Sequence, residues 1–173
     1  MKRMIVLLFA ILTVGNTAIA QRRIAGENYG NALNFGLGIG YYGYIDHSTP
    51  VVHLNYEFPV AKDFTLAPFV TFYSYRHNNY RQMVIPVGVK GTYYFDQILN
   101  ADKQWDFYLG GSLGAAIIKT RWDDGYTRKL NNNEGAGPLY LDLHIGTEYH
   151  FNNKIGAFLD LSTGVSTIGL SFH

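Results

Sequence analysis

The chain has 173 residues, 19 Gly, 14 Tyr, 11 Phe, no Cys and a formal net charge of +1. The missing Cys excludes disulfides, a thiolate metal site, a cysteine nucleophile and a lipid-anchored N-terminal cysteine, and the near-zero charge argues against a nucleic-acid binder. The length suits one domain, and abundant Gly and aromatics with 16% charged residues point to β-structure that does not face water on every side.

Lys2 and Arg3 precede an unbroken apolar run from Met4 to Leu12, and Ala18-Ile19-Ala20 supplies the small-x-small pattern read by a signal peptidase. Residues 1–20 are therefore expected to be a cleaved secretory signal, with 21–32 as a short periplasmic segment. The apolar run falls short of the ~20 residues a membrane-spanning helix needs, and no later stretch approaches that length. If the mature chain crosses a membrane, it does so as strands.

Past Ala32, apolar residues return at every second position, which is the period of a strand. Leu33, Phe35, Leu37, Ile39 and Tyr41 begin the series, followed by Val52, Leu54, Tyr56 and Phe58, then Phe64, Leu66, Pro68, Val70 and Phe72. Met83 to Phe95, Trp105 to Ile117, Leu139 to Phe151, Ile155 to Leu161 and Ile168 to Phe172 continue it. Eight strands of about 8 to 14 residues result, against the 9–11 that cross a bilayer at a tilt. No residue of these apolar sets is charged, and the strand charges Glu57, Lys90, Asp106, Asp142, Glu148 and Asp160 all fall on the other face. Apolar outside and polar inside is the outer-membrane pattern; a soluble barrel needs charge on its outer surface. The aromatics Phe58, Phe64, Phe95, Trp105, Tyr149, Phe151 and Phe172 lie near strand ends and are expected to form one girdle.

The expected connections alternate between ends: 59–63, 96–104 and 152–154 share the end of the termini, while 43–50, 76–82, 119–137 and 164–165 lie opposite. Gly164-Val165 as a type II′ turn pairs Leu161 with Ile168 and Leu159 with Leu170. An Asn152-Asn153-Lys154 loop pairs Phe151 with Ile155 and Tyr149 with Ala157. Pro68 and Pro86 lack a ladder donor, so a bulge or an unpaired position is expected at each. The fold class is all-β, with residues 33–173 forming an eight-stranded antiparallel up-and-down transmembrane β-barrel.

On this signal, strand count, phase and aromatic last strand, the chain resembles the small outer-membrane β-barrel proteins, the porin-family or opacity-type barrels with the architecture of the OmpA transmembrane domain. The resemblance implies a monomer in the bacterial outer membrane, contact with outer-membrane lipids including lipopolysaccharide, and recognition by the barrel-assembly machinery through Ile168, Leu170 and Phe172. The family's C-terminal signal ends in an aromatic residue, whereas here Phe172 is penultimate and His173 is last.

The inward residues carry the chemistry. His53, Glu57, Lys90, Asp142, His144, Glu148, Asp160 and Ser162 are expected to form a polar lumen network. Lys90 is placed between Ala67 and Gly110, with Glu57, Glu148 or both as partners. His144 beside Ser162, with Asp142 and Asp160 one pleat away, has the residue types of a hydrolase triad but no evident oxyanion hole or access route. Phe69, Tyr73, Tyr94, Tyr108, Tyr140 and Phe158 also point inward and should plug an interior of this size. Gly38 to Gly43 matches G-x-G-x-x-G, but within a strand it reads as small lumen residues, not as a dinucleotide loop.

The loop cations Arg76, Arg81, Lys119, Arg121, Arg128 and Lys129, aided by Tyr80, Trp122 and Tyr126, are expected to meet phosphorylated lipid headgroups or a partner. No metal site, cofactor or nucleic-acid partner is expected, since no two His show metal-binding spacing. The function expected is a non-enzymatic envelope protein. The alternatives are a lipid A acyl-modifying enzyme and a narrow or gated porin. Against the enzyme stand the lack of a His-x-Ser pair, as in the deacylase type, and of an N-terminal amphipathic helix, as in the palmitoyl-transferring type.

Overall fold

A computed structural model describes residues 31–40, 48–77, 80–122 and 139–173. The expected signal and most of 21–32 lie outside these residues, as do Tyr126, Arg128 and Lys129. The strands are β1 (Ala32–Gly40), β2 (Thr49–Ala61), β3 (Phe64–His77), β4 (Tyr80–Tyr94), β5 (Trp105–Trp122), β6 (Leu139–Asn152), β7 (Ile155–Ser162) and β8 (Val165–Phe172), with one helical turn, α1 (Asp96–Leu99), between β4 and β5. Each strand pairs antiparallel with the next, and β8 pairs with β1, so the sheet closes and no edge is left.

Alternation of side-chain direction decides the two faces. Leu33, Phe35, Leu37 and Ile39 lie outside while Asn34 and Gly36 point in, and Leu139, Leu141, Leu143 and Ile145 lie outside while Tyr140, Asp142 and His144 are buried. Leu143 is 64% exposed and Ile168 63%, which places large apolar side chains against whatever surrounds the barrel rather than in its core. On β5 the apolar outer band runs from Phe107 to Ile117. Ten residue steps at ~3.4 Å, tilted by ~45°, give a height of about 24 Å, close to the ~25 Å apolar band of outer-membrane barrels. Below that band, Trp105 packs against Tyr149 at 4.9 Å and Tyr149 against Phe151 at 5.5 Å, so the expected girdle is present on β5 and β6.

Several expected boundaries move. β3, β4 and β5 run further than the alternating apolar pattern, so residues 76–77 and 80–82 of the expected 76–82 loop belong to strands, while 78 and 79 lie outside the described residues. Arg76, Arg81, Lys119, Arg121 and Trp122 are consequently strand residues, because ladder hydrogen bonding continues after the side chains have turned polar. The last hairpin turns at Thr163-Gly164, not at Gly164-Val165, and pairs Leu159 with Ile168 and Ala157 with Leu170. This is a slip of two residues, which leaves every side chain on its expected face. Its cause is side-chain capping: the Val165 N–H donates to Ser162 Oγ at 2.6 Å and to Asp142 Oδ2 at 3.0 Å, and Thr163 joins β6 through its N–H to the Leu143 carbonyl at 3.0 Å.

In the β6–β7 turn Tyr149 pairs with Ala157 as expected, but Asn152 rather than Phe151 faces Ile155, with a bulge between His150 and Asn152. Asn152 Oδ1 accepts from the N–H groups of Lys154 and Ile155 at 2.8 and 3.1 Å, closing a two-residue turn that pushes Phe151 out of the ladder. Both prolines interrupt the ladder without shifting its register. Pairing of β2 with β3 skips from Asn55–Phe69 to Phe58–Leu66 around Pro68, and pairing of β3 with β4 skips from Val70–Val87 to Tyr73–Val84 around Pro86.

Candidate functional site

The interior is packed throughout the described residues. Towards the end away from the termini, Val51, Phe69, Tyr73, Val84, Tyr140 and Val165 form an apolar cluster. Above it lie the hydrogen-bonded Tyr75, Gln82 and Thr120, and Tyr80 packed on Trp122 at 5.2 Å. Trp122 and Tyr80 therefore cap the lumen from inside and do not belong to an outer binding surface. The correction follows from phase, since Trp122 stands one step from the outward Arg121.

Below the apolar cluster every expected network residue is present, in different pairings. Lys90 forms its ion pair with Asp160 on β7, not with Glu57 or Glu148, and lies 4.6 Å over the Tyr108 ring. Its register neighbours are Ala67 and Ser112, while Gly110 still leaves room for its stem, a Cβ there falling 3.1 Å from Lys90 Cε. Glu57 is instead satisfied by three donors: Thr65 Oγ1, the Tyr94 hydroxyl and Asn34 Nδ2. His53 bonds Thr71 Oγ1 at 2.7 Å and Asn55 Nδ2 at 3.1 Å. Asp142 accepts from the Ser162 hydroxyl at 2.8 Å, Thr163 Oγ1 at 2.7 Å and the Tyr140 hydroxyl at 3.0 Å. Ser162 thereby caps the β7–β8 turn, its Oγ also accepting from the Val165 N–H at 2.6 Å.

His144 stands beside Ser162 in the β6–β7 register, as expected, but the serine that hydrogen-bonds its ring is Ser112. Ser112 Oγ lies 2.8 Å from one ring nitrogen and Asp160 Oδ1 2.7 Å from the other. The order of types is that of a proton relay. Its setting serves another purpose, because Ser112, His144 and Asp160 are all buried and Asp160 is also held by Lys90 and by the Tyr108 hydroxyl at 3.0 Å. A nucleophile needs a substrate beside it and donors aimed at the developing oxyanion; here each of these polar atoms closes a hydrogen-bond network that would otherwise leave unpaired groups in a low-dielectric interior.

The space left among Asn34, His53, Glu57, Lys90, Tyr108 and Phe158 is about 20 Å³, room for a water or two and not for a solute pathway. The aromatic plug is fitted against glycine: a Cβ on Gly146 would stand 2.3 Å from the Tyr108 ring, and one on Gly169 2.7 Å from that of Phe158. Planar-bilayer recordings of the purified barrel are expected to show no sustained open level; a stable conducting level would favour the porin alternative.

The outer wall at the far end carries the second feature. Arg76 pairs in register with Arg81, and Arg81 with Arg121, so three guanidinium-bearing residues stand in one row across β3, β4 and β5. Lys119 lies in the next outward row, opposite Met83, and all four cationic residues point away from the lumen. They begin one outward position above Ile117, where the apolar band ends. Sequence reasoning named these residues but spread them over loops; their alignment is a property of the paired register.

No protein-family model matches the chain, and no curated protein matches it. Solved structures do. The crystal structure of Neisserial surface protein A (NspA) is similar with a TM-score of 0.56 at 13% identity, over 82% of this chain and 94% of that one. A structure from the de novo design of transmembrane β-barrels is similar with a TM-score of 0.51 at 10% identity, over 84% of this chain and 96% of that one. At such identities the likeness is one of fold: the chain is a closed eight-stranded antiparallel up-and-down barrel, and those structures are similar to it in fold.

Proposed function

We propose that this protein is a non-enzymatic envelope protein of a bacterial outer membrane, a plugged barrel whose outer wall engages phosphorylated headgroups of the outer leaflet. The observation that carries this reading is the row of Arg76, Arg81 and Arg121, with Lys119 beneath, at the upper margin of the apolar band. Guanidinium groups suit phosphate because they donate in a planar fork, and several on one rigid wall address one headgroup without first ordering a loop. The expected signal 1–20, periplasmic termini, a monomeric state and recognition of the outward Ile168, Leu170 and Phe172 by the assembly machinery belong to the same proposal.

The test compares the wild type with the R76Q/R81Q/R121Q variant in detergent, titrated with lipid A bearing or lacking its phosphates. Tighter binding of the phosphorylated form by the wild type is expected, with about a tenfold or greater loss in the variant at unchanged β-structure. Equal binding by both proteins overturns the reading. Lipid A mass spectrometry of cells with and without the protein separates the enzyme alternative: an acyl chain gained or lost would make the protein a catalyst, and an unchanged profile is expected.

A further inference from the structure

At the termini end of the lumen, side chains from three strands converge in an arrangement that sequence spacing did not indicate. His150 and Glu148 come from β6, Asp106 from β5, and His173 follows the last residue of β8. Glu148 Oε1 lies 2.9 Å from His173 Nε2 and 3.9 Å from His150 Nδ1, and the two imidazole rings are 5.0 Å apart. The other nitrogen of His150, Nε2, is 2.7 Å from Asp106 Oδ2. We propose that Glu148, His150 and His173 form a site for a divalent transition-metal ion of the zinc class, with Asp106 orienting His150.

Four observations carry the assignment. One ligand atom from each of Glu148, His150 and His173 lies within 4.8 Å of the other two, so the set is already gathered and needs only a small contraction around an ion. Two imidazoles and one carboxylate are donors for zinc and its neighbours; calcium and magnesium take oxygen. A histidine ligand commonly gives its second ring N–H to a carboxylate, which fixes the tautomer and aims the free lone pair, and Asp106 stands in that relation to His150. Glu148 is buried, and its ion-pair partners among the described residues are these two histidines. A metal ion there supplies the positive charge that a buried carboxylate requires.

The fold leaves room for this. His150 pairs with Gly156 on β7, where a Cβ would fall 2.4 Å from Glu148 Oε1, so glycine lets the carboxylate lie across the neighbouring strand. His173 is held by its backbone N–H, which donates to the Lys154 carbonyl at 2.9 Å. His150 and His173 are partly exposed, so the position is reached from the aqueous mouth of the barrel. Entry of the ion replaces the hydrogen bond between Glu148 and His173: the imidazole gives up its Nε2 proton to water and takes one from water on Nδ1, so the neutral ring presents its Nε2 lone pair to the ion. The bound ion then ties the end of β8 to β6 across β7. Three protein ligands leave a fourth position for water.

The experiment uses the untagged full chain folded in detergent, freed of metal by chelation and titrated calorimetrically with zinc chloride. One zinc per chain is expected, with binding lost in H173A and weakened about 10- to 100-fold in D106N. The heat-modifiable gel mobility of folded barrels confirms that each variant has folded. Should either fail to fold, cobalt(II) substitution in the wild type reads the site directly, through visible bands of a tetrahedral nitrogen–oxygen ligand set. Absence of stoichiometric zinc binding, zinc binding undiminished in folded H173A, octahedral cobalt bands only, or a preference for calcium or magnesium each overturns the proposal.

Discussion

Replacing Lys90 by Met is expected to destabilise the folded barrel by about 3–5 kcal/mol, because it removes one half of a buried ion pair and leaves the other in place. Among the described residues Lys90 is the one buried cation of the Lys or Arg type, and its partner Asp160 is equally enclosed. The Asp160 carboxylate would keep its bonds from His144 and Tyr108 but lose the full positive charge beside it. Methionine fills most of the lysine stem's volume, so the loss reports charge more than cavity. In the double variant K90M/D160N most of the stability is expected to return, since no lone charge remains. Equilibrium urea unfolding in lipid vesicles measures all the corners of this cycle, with D160N alone as the fourth. Equal losses in K90M and K90M/D160N would mean that packing, and not electrostatics, dominates at this position.

Arginine in place of Leu143 addresses the opposite face. Leu143 is directed outwards near the middle of the β6 apolar run and pairs with Gly111, in the central part of the β5 band. In a bilayer, an arginine at that depth is expected to cost about 2–4 kcal/mol, through desolvation that snorkelling relieves only in part. The same change at Ser74, which pairs with Met83 in the row that ends at Lys119, should cost about 0–1 kcal/mol, because the interface is within reach. Unfolding of both variants in vesicles checks the contrast. If both substitutions were neutral, the apolar band would be facing water and the transmembrane placement would be wrong.

How far the site was legible depends on the distance over which each feature is decided. The outward set Leu139, Leu141, Leu143 and Ile145 and the inward set Tyr140, Asp142 and His144 could be assigned from β6 alone, because neighbouring side chains on a strand point to opposite faces whatever the partner strand does. The last turn was misplaced by one residue, and its register by two, because its position depends on Asp142, a residue of β6 that caps the Val165 N–H across β7. A glycine-first turn was the better local choice, and a contact distant in sequence overrode it. Arg76 and Arg81 read as loop because polarity ends the alternating signal, yet the ladder continues as long as the neighbouring strand offers partners.

The pairings within the lumen were the least legible. Glu57 and Glu148 were reasonable partners for Lys90, but Asp160 meets it from β7; His144 does stand beside Ser162 in register, as expected, yet shares its hydrogen bond with Ser112 on β5. His150 and His173 carry no spacing signal, since 22 residues of intervening chain form a complete hairpin before they meet; their inward phase was readable, but their proximity was not. A search for inward His and carboxylate positions near the same end of different strands would have singled them out as candidates.

The sequence by itself determined that this chain makes eight strands, which face of each is apolar, and that the interior is polar and crowded with aromatics. Those properties follow from a two-residue period and from residue type, both expressed within a single strand. Tertiary structure alone decided which inward groups meet, how the cations of β3, β4 and β5 fall into one row, and where Glu148 finds its histidines. Closure of a barrel fixes the stagger of every strand against all the others at once, so contacts across the lumen are set by the whole ring of register and not by any segment of it.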